Sequence, residues 1–211
     1  MSGPTGLFVA VDGPKHAGKT SVLPLVVQLL RQRRYSVLLT KEPTPAFDLT
    51  NEERHNGLAL AELLAADRAQ HLRQIIVPAL GTEDVVITDR YIASSMHFQV
   101  QDGLSFDQVR QLNADFILPD INIFMMADES SLDSRRSRRG VLTRFDGVGD
   151  FAGEVSSWRV VKGHMASCGV QVVIIQNNDD VAPEQTAYTM AKVIMERLEE
   201  VGNGRPESTS Y

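Results

Sequence analysis

The residues with the clearest chemical potential form a glycine-rich run near the start of the chain. Gly13 and Gly18 enclose four residues, and Lys19 and Thr20 follow directly. In a phosphate-binding loop of this spacing, backbone N–H groups bind phosphate oxygens, the lysine reaches the transferable phosphates and the threonine helps to hold Mg²⁺. The alternative is a glycine-rich turn without a ligand. The sequence favours a nucleoside triphosphate site, in which we place these residues: Gly13, Pro14, Lys15, His16, Ala17, Gly18, Lys19, Thr20 and Ser21.

A second chemical pair, Asp89 and Arg90, ends another apolar run. The aspartate can order Mg²⁺ directly or through water, and the planar arginine can bind a phosphate at two points. A surface ion pair is the alternative interpretation. Beside a phosphate-binding loop, a metal and phosphate role is the stronger expectation, so we name Thr20 and Asp89 as metal ligands and Lys19, Asp89 and Arg90 as catalytic residues.

An arginine cluster lies between residues 130 and 149, a segment bordered by glycines. Phosphoryl transfer spreads negative charge over the moving group, and a mobile loop can bring guanidinium groups onto it while excluding water. A solvated basic helix is the alternative. We expect a lid with Arg136 and Arg139 as its catalytic candidates, although spacing does not distinguish among the five arginines: Arg135, Arg136, Arg138, Arg139 and Arg144.

The elements that must position these residues alternate along the chain. Short apolar runs typical of buried strands are separated by segments with helical period, which predicts an α/β fold of three layers, a mostly parallel sheet with helices on both faces. The carboxyl ends of parallel strands lie at one edge of a sheet, so the loop, Glu42, Asp89 and the lid should converge on one cleft. The expected strands are residues 7–11, 37–40, 85–88, 121–126 and 170–175.

Four helices are expected between these strands or after them. The apolar spacing predicts helices over 21–34 and 107–116, one long buried helix over 52–80, and a last helix from Pro183. Beyond residue 201 the chain has almost nothing to bury. We therefore expect one domain with a phosphate-binding loop over 1–201, with the lid at about 130–149, and a disordered tail over 202–211.

Composition excludes several classes of partner. The 211 residues suit one domain, and a net charge of −6 argues against a nucleic-acid polymer or an anionic membrane as partner. No apolar stretch approaches the length of a membrane span. The single cysteine, Cys168, fits a reducing compartment, so we expect a cytoplasmic protein in which this thiol is buried and inert.

The chain as a whole resembles the thymidylate kinase family of nucleoside monophosphate kinases. Besides the loop, the resemblance rests on Asp89–Arg90–Tyr91 and on the other motifs Lys41–Glu42–Pro43, Asp67–Arg68, Phe98–Gln99, Leu118–Pro119–Asp120 and Arg144–Phe145–Asp146. It implies a five-stranded sheet, a homodimer, and transfer of a phosphoryl group from ATP, with Mg²⁺, to the 5′-phosphate of a nucleotide. Basic residues in the lid resemble the subtype whose lid supplies the catalytic arginine.

The resemblance also implies a role for individual residues. Lys19 and the loop would hold the ATP phosphates, Arg90 would bind the acceptor phosphate, and Arg68 would hydrogen-bond the base. The acceptor pocket implied in this way consists of Glu42, Pro43, Leu64, Arg68, Arg90, Ser94, Ser95, Gln99 and Phe145.

Two positions depart from the family pattern. Lys15 stands where the family usually has an aspartate that accepts from the sugar 3′-hydroxyl, and an ammonium only donates. Leu64 stands where a phenylalanine usually stacks on the pyrimidine. The leading hypothesis is a kinase for thymidylate (dTMP) or a related pyrimidine deoxynucleotide. The alternatives are a similar kinase with another acceptor, such as a modified nucleotide or a small phosphorylated metabolite, and a nucleotide-binding regulator without turnover.

Overall fold

Five parallel strands form the centre of the molecule. The computed structural model describes residues 6–139 and 151–203. Its strands follow the spatial order β2-β3-β1-β4-β5, and every neighbouring pair is parallel. The predicted five-stranded α/β sheet is therefore confirmed. The strands are β1 (Leu7–Asp12), β2 (Val37–Lys41), β3 (Val85–Asp89), β4 (Ile121–Met126) and β5 (Gln171–Gln176).

The helices lie on both faces of this sheet. A π-helical turn, Leu72–Ile76, joins the third and fourth helices. The helices are α1 (Lys19–Gln32), α2 (Asn51–Arg54), α3 (Gly57–His71), α4 (Val77–Leu80), α5 (Ile92–Gln101), α6 (Phe106–Leu112), α7 (Glu129–Arg139), α8 (Phe151–Ser167) and α9 (Pro183–Asn203). No helix of the described ranges is long and apolar enough to cross a membrane.

Two apolar cores hold the layers together. Side chains of β1, β3 and β4 alternate between the two faces, and both faces are covered, so these strands are apolar along their length. On one face they pack against α1 and α9. On the other they pack against α3 to α6 and α8, with Trp158, Tyr91 and Phe124 among the largest buried side chains. The rigid sheet fixes the edge that carries the candidate site.

The carboxyl ends of the strands meet as expected. The backbone N–H of Glu42 donates to the carbonyl of Asp89 at 2.9 Å, and the N–H of Arg90 donates to the carbonyl of Val11 at 2.9 Å. On the other side, the N–H of Asn177 donates to the carbonyl of Met126 at 2.8 Å. The segments that follow all five strands thus form one continuous edge.

The prediction of one long helix over 52–80 was wrong in its start. Helical backbone continues without a break from Gly57 to Leu80, through α3, the π-helical turn and α4, whereas α2 is a separate short helix before it. The break precedes Gly57, whose φ of +52° favours glycine and whose N–H donates to the Asp102 carboxylate at 2.6 Å. Leu58, expected in the core, is 49% exposed just after this break. The pair Asn56–Gly57 is a local turn signal, which the apolar spacing around it outweighed in the prediction.

Three smaller expectations also need correction. Cys168 is exposed, because it lies in the turn after α8 rather than in the apolar strand that follows. The helix expected over 107–116 is shorter and ends at Leu112. The last helix continues to Asn203 and so includes the first two residues of the expected tail, and residues 204–211 lie outside the described ranges.

Candidate active site

A buried carboxylate anchors the phosphate-binding loop to the sheet. Asp12, the last residue of β1, is fully buried. Its carboxylate accepts hydrogen bonds from the backbone N–H groups of Tyr91 (3.0 Å) and Ser94 (2.9 Å), from the Ser94 hydroxyl (2.6 Å) and from the Asn122 amide (2.8 Å). Sequence reasoning missed Asp12, although a charged residue at the end of an apolar strand was an available signal.

The two loop glycines meet distinct steric limits. Gly13 has a φ of +135°, and a side chain there would collide with the carbonyl of Met125 on the neighbouring strand. Gly18 has a φ of +94° and directly precedes α1. A Cβ at Gly18 would lie 2.5 Å from the Asn177 amide nitrogen. Glycine is therefore required at both ends of the loop.

Lys19 is buried beneath the loop. Its ammonium donates to the carbonyls of Gly13 (3.0 Å) and Pro14 (2.8 Å). Burial, helped by the nearby Arg90 cation, lowers the pKa of Lys19 to about 7, although the carboxylates of Asp89, Asp12 and Glu154 act in the opposite direction. A phosphate beside the ammonium would favour its charged form.

Arg90 lies at the end of β3, in a left-handed conformation with a φ of +74°. Its guanidinium donates to the Gly13 carbonyl at 3.2 Å and to the Ser94 hydroxyl at 3.1 Å. The same group lies 5.1 Å above the centre of the Phe98 ring. These contacts fix the planar guanidinium beside the phosphate-binding loop.

Asp89 and Thr20 line the same wall as the loop. Oδ1 of Asp89 is buried and accepts no hydrogen bond from the described residues. A carboxylate oxygen in this state is costly unless a cation or a water compensates it. Together with the Thr20 hydroxyl it forms a donor set of the kind that Mg²⁺ prefers.

A cavity of about 650 Å³ lies above the loop. Arg135 of α7 enters it and donates to the carbonyls of Ala17 (3.1 Å) and Asn177 (2.8 Å) and to the Asp179 carboxylate (2.8 Å). The larger cavity is lined by Lys15, His16, Gly18, Lys19, Thr20, Ser21, Val22, Asp89, Arg90, Arg135, Arg138, Asn177, Asp179, Val181 and Pro183.

Two described arginines of α7 lie at this cavity, and the pair chosen from the sequence, Arg136 and Arg139, stays a prediction. Arg135 and Arg138 line it, whereas Arg136 pairs with the exposed Asp133 at 2.7 Å. The side chain of Arg139, and Arg144 as a whole, lie outside the described part of the chain. The residues of α7 that face the loop depend on where the helix begins and on its rotation. The sequence alone did not reveal either, so it could not identify the arginines at the cavity.

A second, smaller cavity of about 110 Å³ lies beside the first. It brings together eight of the nine residues expected at the acceptor: Glu42, Pro43, Leu64, Arg68, Arg90, Ser94, Ser95 and Gln99. The ninth, Phe145, lies outside the described residues. Phe98 also lines this cavity and was missed, although it follows Ser94 by four positions and Ser95 by three, on the same face of α5.

Arg68 forms the floor of the smaller cavity and is 4% exposed. Its guanidinium donates to Glu42 (2.7 Å), to the Ser95 hydroxyl (2.9 Å) and to the Asn113 side-chain carbonyl. Glu42 is also contacted by His71, at 3.0 Å. A buried charge held by this many partners has a fixed position, which suits recognition of a planar ligand.

These features define the class of the protein: a phosphate-loop nucleotide kinase with adjoining cavities for two nucleotides. A sequence model of the family "Thymidylate kinase" matches residues 11–147, which include the loop, the smaller cavity and α7. The chain belongs to the thymidylate kinase family.

Individual relatives agree with this assignment. A "Probable thymidylate kinase" of Pyrococcus abyssi is 34% identical over 153 residues, which cover 67% of this chain and 75% of the relative. A "Thymidylate kinase" of Lactobacillus delbrueckii subsp. bulgaricus is 38% identical over 138 residues, 58% of this chain and 65% of the relative. One of Acinetobacter baylyi is 33% identical over 153 residues, 66% of this chain and 76% of the relative.

The pKa of Lys19 leads to a testable prediction about nucleotide binding. A triphosphate beside the ammonium favours the charged form, so binding at about pH 8 should take up roughly one proton, and uptake should fade below the ligand-free pKa of about 7. Calorimetric titration with ATP in two buffers of different ionisation enthalpy measures the uptake. Without nucleotide, the same residue makes the free energy of unfolding rise between pH values of about 7 and 10.5, because the unfolded chain binds the extra proton.

The matched control for this titration is Lys19→Met, which keeps the length of the side chain and removes its charge. The variant should bind nucleotide more weakly and with equal enthalpies in the two buffers. Equal enthalpies for the unchanged protein would contradict the lowered pKa.

Proposed function

We propose that this kinase transfers a phosphoryl group from ATP to dTMP and forms dTDP. The observation that carries the proposal is the pair of cavities that meet at Arg90, one above the phosphate-binding loop and one lined by the residues expected for the acceptor. Membership of the thymidylate kinase family and the names of the relatives support the choice of acceptor.

The larger cavity suits ATP. Backbone N–H groups from Lys15 to Ser21 and the Lys19 ammonium would bind its phosphates. Thr20 and Asp89 would hold Mg²⁺, which supplies charge neutralisation at the phosphates when it is bound. A catalytic role for the lid is part of the proposal. The sequence suggests Arg136 and Arg139 for this role. Arg135 and Arg138 are further candidates, because both line the cavity.

The smaller cavity suits a pyrimidine nucleotide monophosphate. Arg90 would bind the acceptor phosphate with its planar guanidinium. Arg68 has five N–H groups, and the hydrogen bonds to Glu42, Ser95 and Asn113 leave an N–H on Nη1 to donate to a base carbonyl. Phe98 offers a ring face for stacking where Leu64 offers only apolar contact.

We also propose that the chain forms a homodimer through α3 and α4. Exposed residues recur there at helical spacing and include the apolar side chains of Leu63 and Val77, which are 36% and 47% exposed. The stripe consists of Ala59, Leu63, Ala66, Gln70, Arg73 and Val77. A helical stripe with small residues can pack on its own copy across a twofold axis, which would bury its apolar side chains.

An acceptor panel tests the proposed reaction. Purified protein is incubated with ATP, Mg²⁺ and one of dTMP, dUMP, dCMP, dGMP or a phosphorylated sugar, and ADP release is measured. We expect dTMP to be the preferred acceptor. Arg90→Ala should lower kcat/KM for dTMP by roughly 100-fold or more, because it removes the cation that meets the acceptor phosphate.

The matched control for Arg90→Ala is Arg110→Ala, since Arg110 is exposed and pairs only with Asp107 among the partners described for it. This variant should keep the activity of the unchanged protein. Preference for another acceptor would contradict dTMP as the substrate and favour a related kinase, while ATP binding without turnover on any acceptor would favour a regulator.

The dimer is tested by sedimentation velocity. The unchanged protein should sediment as a dimer, and Leu63→Glu should sediment as a monomer, because two buried carboxylates facing each other across the axis are strongly unfavourable. Leu49→Glu is the control, since Leu49 is 63% exposed and lies outside the stripe. A monomeric unchanged protein, or a Leu63→Glu variant that stays dimeric, would contradict the proposed interface.

A further inference from the structure

Lys15 and Arg90 occupy a special position in the site. Among the described residues, they are the two that line both the larger and the smaller cavity. Every other lining residue described belongs to one cavity alone. These two cations therefore lie where the two cavities adjoin.

The loop geometry holds Lys15 at this junction. The carbonyls of the two preceding residues, Gly13 and Pro14, both accept hydrogen bonds from the Lys19 ammonium, and Gly13 also accepts from Arg90. The backbone before Lys15 is thereby fixed at three points. The Lys15 side chain is half-buried, and it lies on the rim of the loop rather than beneath it as Lys19 does.

In the proposed reaction, the negative charge on the moving phosphoryl group lies at the junction of the two cavities. As the γ-phosphoryl group moves, the bond from the β–γ bridging oxygen of ATP to phosphorus breaks and a bond from an acceptor phosphate oxygen forms, which yields ADP and the nucleoside diphosphate. Negative charge spreads over the three equatorial oxygens of the moving group. A cation beside the path stabilises this state more than the ground state, which is the condition for catalysis.

We infer that Lys15 is a catalytic residue whose ammonium contacts the transferring phosphoryl group where the two cavities adjoin, with Arg90 also at this junction. The inference rests on the proposed function. It also explains how a lysine is accommodated at a position where the family usually has an aspartate: the side chain serves the phosphoryl group common to all acceptors and does not read the acceptor sugar.

The competing role makes a different prediction. If Lys15 binds the acceptor sugar, its contribution must depend on the 3′-hydroxyl that it would contact. If it binds the moving phosphoryl group, its contribution must be the same for an acceptor that lacks this hydroxyl. The sugar and phosphoryl roles are therefore separated by comparing dTMP with 3′-deoxythymidine monophosphate.

The experiment measures kcat and KM for both acceptors with four forms: unchanged protein, Lys15→Ala, Lys15→Arg and the control Lys192→Ala. Lys192 is an exposed lysine on α9, far along the chain from the loop. We expect Lys15→Ala to lower kcat by about 100-fold for both acceptors, with KM little changed. Lys15→Arg should recover most of the loss, and Lys192→Ala should behave as the unchanged protein.

A second readout does not depend on turnover. ADP with aluminium fluoride and dTMP imitates the moving phosphoryl group, so Lys15→Ala should weaken binding of this complex while the affinity for ADP alone stays the same. A loss confined to dTMP, a change confined to KM, or unchanged binding of the aluminium fluoride complex would overturn the inference. If the unchanged protein showed no turnover, the proposed function would be contradicted. The role of Lys15 would still be tested by comparing how Lys15→Ala and the unchanged protein bind ADP alone and ADP with aluminium fluoride and dTMP.

Discussion

One backbone carbonyl joins the two halves of the site. The carbonyl oxygen of Gly13 accepts hydrogen bonds from the Lys19 ammonium at 3.0 Å and from the Arg90 guanidinium at 3.2 Å. One of these cations belongs to the phosphate-binding loop and the other to the strand end that faces the acceptor cavity. Because both bind the same oxygen, the two cavities keep a fixed distance and orientation, as in-line transfer between two nucleotides requires.

The buried Asp12 carboxylate makes this arrangement rigid. It binds the backbone of Tyr91 and Ser94, so the start of α5 is tied to the residue that directly precedes the loop. Burial and the neighbouring Arg90 cation lower the pKa of Lys19, so without nucleotide its ammonium loses the proton more readily than an exposed lysine does. A bound phosphate favours the charged form, which completes the positive charge at the site as the nucleotide arrives.

The fold was largely predictable because its signals are local. The five strands and most helices were predicted from apolar runs, from the spacing of the loop and from a proline at a helix start. Each of these signals can be recognised from residues close together in the sequence. The break before Gly57 was missed although Asn56–Gly57 is a local turn signal, and the Asp102 carboxylate that binds the Gly57 N–H lies 45 residues away. At the site, the types of residue were enough to identify the acceptor pocket. The two arginines at the larger cavity, Arg135 and Arg138, were not identified, because their position depends on the rotation of α7. Asp12 was missed although it is a charged residue at the end of an apolar strand, and its four hydrogen bonds show what it holds together.

The most direct measurement is a crystal structure of the protein with adenosine and thymidine joined through their 5′-oxygens by five phosphates. The account predicts the adenosine end in the cavity beside Arg135, the thymine ring on Phe98, and bridging phosphates within hydrogen-bond distance of both Lys15 and Arg90. A structure with the thymidine end outside the smaller cavity, or with the phosphate chain remote from Arg90, would contradict it.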